Sequence, residues 1–235
     1  MEKKIKVGIL FGGKSAEHEV SLQSAKNVYD ALDRNKYDPV LIGIDKQGRW
    51  HLSPPGEEVS RMLLNAGDPR RISLNGSSDL AALVPESGGR VFNMSSRGND
   101  AVIDVVFPIL HGPLGEDGTV QGLLKLADIP FVGAGVLGSA VGMDKDVMKR
   151  LLRDAGLPIG KFLVLRDHRT FPDFKTLAAD PGLPFFVKPA NMGSSVGVGK
   201  VRNEAEYLPA LREAFKYDTK VIIEEFIPGR ELECS

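Results

Sequence analysis

Lys188 stands at the end of a short β-rich run, Phe185-Phe186-Val187, and is followed closely by Gly193-Ser194-Ser195-Val196-Gly197 before a second run from Val196 to Val201. Side chains this small let backbone N–H groups approach an anion, and a nearby ammonium supplies the compensating charge, so the pattern suits a phosphate. The same residues also fit an ordinary β-hairpin with a flexible tip. A second constellation, Ser15-Ala16-Glu17-His18-Glu19-Val20-Ser21, follows the apolar run Lys6 to Phe11 and the turn Gly12-Gly13. It brings two carboxylates and an imidazole to the carboxyl end of a strand expected to be parallel, where doubly wound sheets bind ligands. A carboxylate there suits a substrate ammonium; alternatively Glu17 and Glu19 merely complement a helix dipole. The loop His111-Gly112-Pro113-Leu114-Gly115-Glu116-Asp117-Gly118 follows a later strand and could line the same pocket, or Glu116 and Asp117 could simply begin a helix. Asp144-Lys145 opens another helix, where a lysine adds to the positive end of the dipole and fits anion binding better than stability.

Gly8 to Ser15 satisfies the formal P-loop spacing of glycine, four residues, glycine, lysine, serine. Context argues against it: a working P-loop places its first glycine after the strand, whereas Gly8 lies within one and Ile9, Leu10 and Phe11 are its core residues.

The elements that must position these groups read as follows. Strand Lys6 to Phe11, a helix carrying Leu22, Ala25, Val28, Tyr29 and Leu32 with Ser21 as N-cap, and strand Val40 to Ile44 make a βαβ unit. From Ser53 to Asn99 no motif can be placed. A strand from Ala101 to Leu110, a helix from Thr119 to Ala127 and a strand from Ile129 to Val132 continue the alternation, which predicts an α/β, doubly wound parallel-sheet domain over residues 1–138. Asp144 caps a helix bearing Val147, Leu151, Leu152 and Ala155, ended by Gly156. Strands at Phe162 to Leu165, Phe185 to Val187, Val196 to Val201 and Val221 to Ile223, with helices near Pro172 to Ala179 and Glu204 to Lys216, predict an antiparallel α+β domain over residues 139–235. The stretch Val221 to Glu231 reads as a strand and a connecting turn, against which a flat base could dock; the alternative is a domain linker.

The composition bounds the rest. The 235 residues carry 30 basic and 31 acidic side chains for a net charge of −1, which leaves no electrostatic footprint for nucleic acid or an anionic membrane. A small-molecule partner is expected. Cys234 is the one cysteine, so an internal disulfide and cysteine-based zinc sites are excluded. No apolar run approaches the ~20 residues that span a bilayer, and Val7 to Phe11 is too short for a signal peptide. A cytoplasmic protein is expected.

Taken in order, Phe11 to Ser21, His111 to Gly118, Met143-Asp144-Lys145, and Val187-Lys188-Pro189 with Gly193 to Gly197 resemble the ATP-grasp enzymes, and within them the D-alanine:D-alanine ligase family. The resemblance implies an ATP-dependent ligase that makes D-alanyl-D-alanine for peptidoglycan through an acyl phosphate. It makes residues 1–138 the substrate-side domain and 139–235 the central ATP-grasp subdomain plus the first residues of the C-terminal ATP-grasp subdomain, the rest of which is missing. By resemblance, Glu17 holds the ammonium of the first D-alanine, with Val20 and His111 nearby. Lys145 and Lys188 contact ATP phosphates, Ser194 fastens the glycine loop toward Glu17, and Ser195 covers the transferring phosphate. Glu224, Glu225, Phe226 and Ile227 meet the adenine and Glu231 the ribose. Mg2+, or Mn2+ in its place, would be held by residues beyond Ser235, with no metal ligand in this chain. The resemblance further implies a homodimer. Because that family's metal-binding carboxylates, its arginine for the tetrahedral intermediate and its mobile loop are expected beyond Glu233-Cys234-Ser235, the expectation is no ligase activity and, at best, weak, metal-independent nucleotide affinity. Other expected readings are a D-alanine:D-lactate or D-alanine:D-serine variant, another ATP-grasp carboxylate:amine ligase, or a non-catalytic nucleotide-binding module.

Overall fold

The computed structural model describes residues 3–52, 79–95 and 100–232. The chain divides into two compact units, Met1–Ala140 and Val141–Ser235.

The first unit is built on β1 (Ile5–Gly12), α1 (His18–Ala31) and β2 (Tyr37–Ile44). Strands β1 and β2 run parallel, with Ile9 opposite Leu41, and β7 (Val105–Pro108) lies parallel on the other side of β1, with Ile9 opposite Phe107. The near-continuous apolar character of β1 has a physical cause: both of its faces are covered, as parallel sheets require. Val7, Ile9 and Phe11 pack with Leu22 and Ala25 of α1, whereas Leu10 joins Ile42, Ile44 and the residues Val120 and Leu124 of α2 (Thr119–Leu126). The expected doubly wound arrangement is present in this part of the sheet.

Beyond β2 the sheet continues antiparallel through β3 (Trp50–Leu52), β4 (Asp79–Leu83), β5 (Arg90–Asn93) and β6 (Ala101–Val102), giving the order β6-β5-β4-β3-β2-β1-β7. Two of these strands occupy part of the stretch in which the sequence showed no motif; residues 53–78 and 96–99 lie outside the described residues. The single strand expected from Ala101 to Leu110 is divided. Its first residues pair with β5 and its later ones with β1, and between them the Ile103 N–H donates to the Gly89 carbonyl at 2.8 Å and the Asp104 N–H to that of Lys6 at 2.9 Å. Gly8 makes room for the crossing, since a Cβ there would lie 2.8 Å from Ile103 Cδ1. Gly8 therefore serves strand packing and not a phosphate loop. Ile129 to Val132 contributes only an isolated bridge, Val106 with Phe131.

One cap differs from expectation. Helix α1 begins at His18 with Glu17 in the N-cap position, and Ser21 sits a turn inside, fully buried. Its Oγ accepts from the Gly12 N–H at 2.8 Å and donates to the Ile109 carbonyl, so it ties the helix to two strand ends instead of capping it.

Helix α3 (Val136–Met143) crosses the boundary between the units. The second unit then has α4 (Lys145–Asp154), β8 (Phe162–Leu165), α5 (Phe174–Ala178), β9 (Phe185–Pro189), β10 (Gly199–Val201), α6 (Glu204–Ala214) and β11 (Val221–Glu225). Its sheet is wholly antiparallel in the order β10-β9-β11-β8. Strand alternation separates two faces. Phe185, Val187, Val201, Val221 and Ile223 point to a core closed by Leu177 of α5 and by Tyr207, Leu211 and Ala214 of α6. Phe186, expected in the buried run, is half-exposed on the opposite face with Lys188.

Helix α4 departs further from its apolar reading. Asp144 caps it as expected, accepting from the N–H groups of Asp146 and Val147. Yet the buried residues of the helix are Asp146 and Lys149, while Val147 and Leu151 are exposed. Ion pairs are the reason. Asp146, 1% exposed, meets Arg150 at 2.5 Å, Arg166 at 2.8 Å and Lys220 at 3.5 Å. Among the described residues no helix is long and apolar enough to cross a membrane, and the strand expected at Glu233 to Ser235 lies outside them.

Candidate functional site

In the first unit, Gly12 and Gly13, both at positive φ, turn the chain out of β1 and deliver Ser15 and Glu17 to the carboxyl ends of the parallel strands. Ser15 organises the turn: its Oγ donates to the His111 carbonyl at 2.6 Å and accepts from the Glu17 N–H at 3.1 Å. The His111 ring is held in turn by Ser24, Nε2 to Oγ 3.1 Å. Glu17, Val20 and Ser24 are spaced three and four residues apart, so they share one face of the start of α1. The loop after β7 therefore lies beside the Glu17 turn, as one of the two sequence readings held.

The Glu17 carboxylate lies directly over Gly112. A Cβ at Gly112 would be 2.6 Å from Glu17 Oε2, and the backbone there has φ +74°, so both space and conformation demand glycine. The loop is braced from within: the Gly112 N–H donates to Glu116 Oε2 at 2.6 Å, the Leu114 N–H to Asp117 at 2.8 Å, and the Gln121 amide to the Gly115 carbonyl at 2.9 Å. Burial alone would raise the Asp117 carboxyl, but hydrogen bonds from Leu114 and Thr119 outweigh it and hold it below the usual range. Glu116 and Asp117 thus brace the loop as well as precede the helix. An apolar cleft of about 190 Å³ opens beside it, lined among others by Gly13, Lys14, Trp50, Leu110, Leu114 and Leu123, and it shares His111 with the group around Glu17.

In the second unit the exposed face of the sheet gathers cations. Glu224 of β11 receives Lys188 of β9 on Oε2 at 2.6 Å and Lys149 of α4 on Oε1. Burial pushes its carboxyl up, but the hydrogen bonds and charges of Lys149 and Lys188 prevail and hold it below the usual range. The Lys145 ammonium donates to the carbonyls of Ala190, at 3.3 Å, and Met192, which anchors the start of the glycine-serine loop. Burial and then the charge of Lys188 lower its affinity for the proton. Lys200 of β10 lies over the ring of Phe226 at 4.0 Å and over that of Phe186 at 5.5 Å.

The loop itself carries strain. Ser194 and Ser195 have φ +47° and +58°, a left-handed conformation that favours glycine. Both are exposed, and Asp218 fixes the approach by accepting from the Asn191 N–H and amide at 2.7 and 2.9 Å. Glu225 accepts from the Lys161 N–H at 2.7 Å, Phe226 and Ile227 follow β11 at the surface, and Glu231 is exposed farther along.

The structure thus groups Glu17 with His111 in the first unit, and Lys145, Lys188, Glu224 and Phe226 on one region of the second. Lys149 and Lys200 were missed by the sequence reading. Lys149 stands four residues after Lys145, on the same helix face, and Lys200 is opposite Phe186 in the strand register, so spacing alone carried both signals. Among the described residues, no group of three or more histidine, cysteine, aspartate or glutamate side chains could hold a metal ion. These described residues do not make a Mg2+ ligand set.

Comparison with known proteins gives this arrangement a context. Residues 6–134 match the family model for the D-ala D-ala ligase N-terminus and residues 151–235 that for the D-ala D-ala ligase C-terminus. The chain is 56% identical over 234 residues to D-alanine–D-alanine ligase A of Chromobacterium violaceum, covering 99% of this chain and 63% of that protein. Among solved structures it resembles the D-alanine–D-alanine ligase of Coxiella burnetii, with TM-score 0.83, 37% identity, and coverage of 97% of this chain and 63% of that one. It also resembles the VanG D-Ala:D-Ser ligase of Enterococcus faecalis, with TM-score 0.81, 36% identity, and coverage of 97% and 64%. The chain spans a little under two thirds of the length of these relatives. With both family models matched in order and most of its residues accounted for, this chain belongs to the D-alanine–D-alanine ligase family.

Proposed function

We propose that this chain supplies the substrate turn and the nucleotide face of an ATP-dependent, Mg2+-using ligase that joins two D-alanines for peptidoglycan precursor synthesis. The observation that carries the reading is the cationic face of the second unit, where Lys145 and Lys188 gather beside the carboxylate Glu224, which Lys149 neutralises from the other side, and Lys200 lies over the rings of Phe186 and Phe226. A polyphosphate is the anion that such a set suits, with the rings of Phe186 and Phe226 offering an apolar surface to a base.

In the proposed reaction, a carboxylate oxygen of the first D-alanine attacks the γ-phosphorus of ATP and ADP leaves, giving an acyl phosphate. The neutral amine of the second D-alanine then attacks the acyl carbon, the C–O bond breaks with its electron pair going to the departing phosphate, and the proton lost from the amine passes to that phosphate or to solvent. Glu17 pairs with the ammonium of the first D-alanine, beside Val20 and His111. Lys145 and Lys188 meet the phosphates, while Ser194 and Ser195 bring backbone N–H groups over the one transferred. Glu224, Glu225, Phe226 and Ile227 receive the adenine and Glu231 the ribose. Such chemistry depends on position and charge stabilisation more than on covalent help from the protein. The protein is assigned to the cytoplasm as a homodimer. Residues 1–138 form the substrate-side domain and 139–235 the central ATP-grasp subdomain.

Calorimetric titration with ATP, then D-alanine, tests the reading on the 235-residue chain. Nucleotide binding is expected, without D-alanine-dependent phosphate release. Absence of any nucleotide heat would overturn the proposal for the second unit, and phosphate release requiring both substrates would overturn the expectation of inactivity.

A further inference from the structure

Lys149 is the most enclosed ammonium of the cationic face: its side chain is 10% exposed, against 27% for Lys188. It lies 5.5 Å from the centre of the Phe162 ring and ends on Glu224 Oε1, while Lys188 occupies Oε2. The two lysines are therefore not equivalent. Lys188, more open to solvent, is the one able to exchange its carboxylate partner for an incoming phosphate. Lys149 stays, because leaving Glu224 would strand a buried ammonium without a counter-charge. Phe162 faces Glu224 across the β8–β11 ladder, and Phe186 faces it across β9, so the carboxylate is fixed on three sides.

A carboxylate held in this way presents acceptor lone pairs and no donor. We infer that Lys149 is a positioning residue for base specificity: it holds the Glu224 carboxylate so that the oxygen vacated by Lys188 accepts from the amino group of a 6-aminopurine and rejects a 6-oxopurine. The inference rests on the proposed nucleotide reading of this face. An adenine amino group pairs with the free oxygen, whereas a 6-oxo group would set acceptor against acceptor and leave both unpaired in a half-buried place.

The test is calorimetric binding of ATP and of inosine triphosphate to the 235-residue wild type, Lys149→Met and Glu224→Gln, with circular dichroism to establish that each variant is folded. Wild type is expected to prefer ATP by roughly tenfold to a hundredfold, the range for one hydrogen bond to a charged group. Lys149→Met is expected to lose most of this preference through weaker ATP binding, with inosine triphosphate affinity unchanged within about twofold, well below the step a single hydrogen bond sets. A general loosening of the fold would weaken both nucleotides alike. Glu224→Gln, whose amide both donates and accepts, is expected to abolish the preference, and it decides the matter if Lys149→Met does not fold. Retention of the wild-type preference in either folded variant, or an equal loss for both nucleotides, overturns the inference and leaves the nucleotide reading standing. Failure of the wild type to bind ATP overturns the nucleotide reading itself, and the inference with it.

Discussion

Replacing Gly112 with alanine should separate the substrate role proposed for the first unit from its stability. The added Cβ would stand 2.6 Å from Glu17 Oε2 and 3.4 Å from Ser15 Cβ, at φ +74°. The conformational part of the cost is about 1–2 kcal/mol, the penalty for a Cβ in the left-handed region. Steric relief is cheap for the fold, because the crowded atom is the end of a flexible side chain. It is expensive for binding, because the carboxylate must retreat from its 2.6 Å approach to at least ordinary contact, and a hydrogen bond to a charged group is worth about 1.5–3 kcal/mol. Gly112→Ala should therefore lower unfolding free energy in urea by about 1–2 kcal/mol and weaken D-alanine binding, measured by calorimetry, by roughly tenfold to a hundredfold. Gly122→Ala is the control. Gly122 lies within α2 with nothing within 4 Å of its added Cβ, so this change should raise stability by up to about 1 kcal/mol and leave D-alanine affinity alone. If folded Gly112→Ala binds D-alanine as wild type does, the placement of Glu17 against the substrate ammonium is refuted.

Three further outcomes follow from the same geometry. Asp146→Ala removes a carboxylate that is 1% exposed and leaves Lys220, itself 10% exposed, with Asp144 alone; urea denaturation should show a loss near 3 kcal/mol, the low end for breaking a buried pair, and a loss under about 1 kcal/mol would contradict it. The carboxyls of Asp45, Asp146 and Glu224 are all held below their usual range; for each, burial acts upward, but hydrogen bonds led by the Arg49 backbone N–H prevail at Asp45, and those with Arg150 and Lys220, and with Lys149 and Lys188, prevail at Asp146 and Glu224. Folded values that are depressed give stability fully present above the unfolded carboxylate value of ~4 and lost as pH falls through the folded values, so the urea midpoint should be flat from neutrality to about pH 5 and decline below ~4; a flat profile to pH 3 would refute this. Lys14→Ala should leave ATP binding intact, since Gly8 is committed to packing Ile103 and the formal P-loop spacing is accidental; loss of binding in that variant would restore the P-loop reading.

Much of the first unit was legible because its signals are local. A strand buried on both faces is apolar throughout, as Val7 to Phe11 is, and the helix that covers it repeats at three and four residues. What escaped notice depends on partners distant in sequence. The division of Ala101 to Leu110 follows from Gly8 admitting Ile103, and Ser21 leaves its expected cap because Gly12 and Ile109 claim its hydroxyl. Helix α4 inverted its apolar reading for the same reason: Asp146 is buried against Arg166 and Lys220, and Lys149 against Glu224, partners that lie 20 to 75 positions away in sequence. The motifs that carry the family resemblance, those of Glu17, His111, Lys145 and Lys188, were legible as an ordered set, each ambiguous alone. Lys149 lay outside every motif; its spacing from Lys145 was its one trace in the sequence, and its ion pair with Glu224 gives that spacing its meaning.

The most direct test of the central claim is titration of ATP into the 235-residue chain and its Lys188→Ala variant. Lys149 still pairs Glu224 when Lys188 is removed, so the variant should remain folded and any change should report the phosphate contact proposed for Lys188. A saturable isotherm in wild type that is lost in folded Lys188→Ala is the expected result, and equal ATP affinity in the two proteins would contradict it.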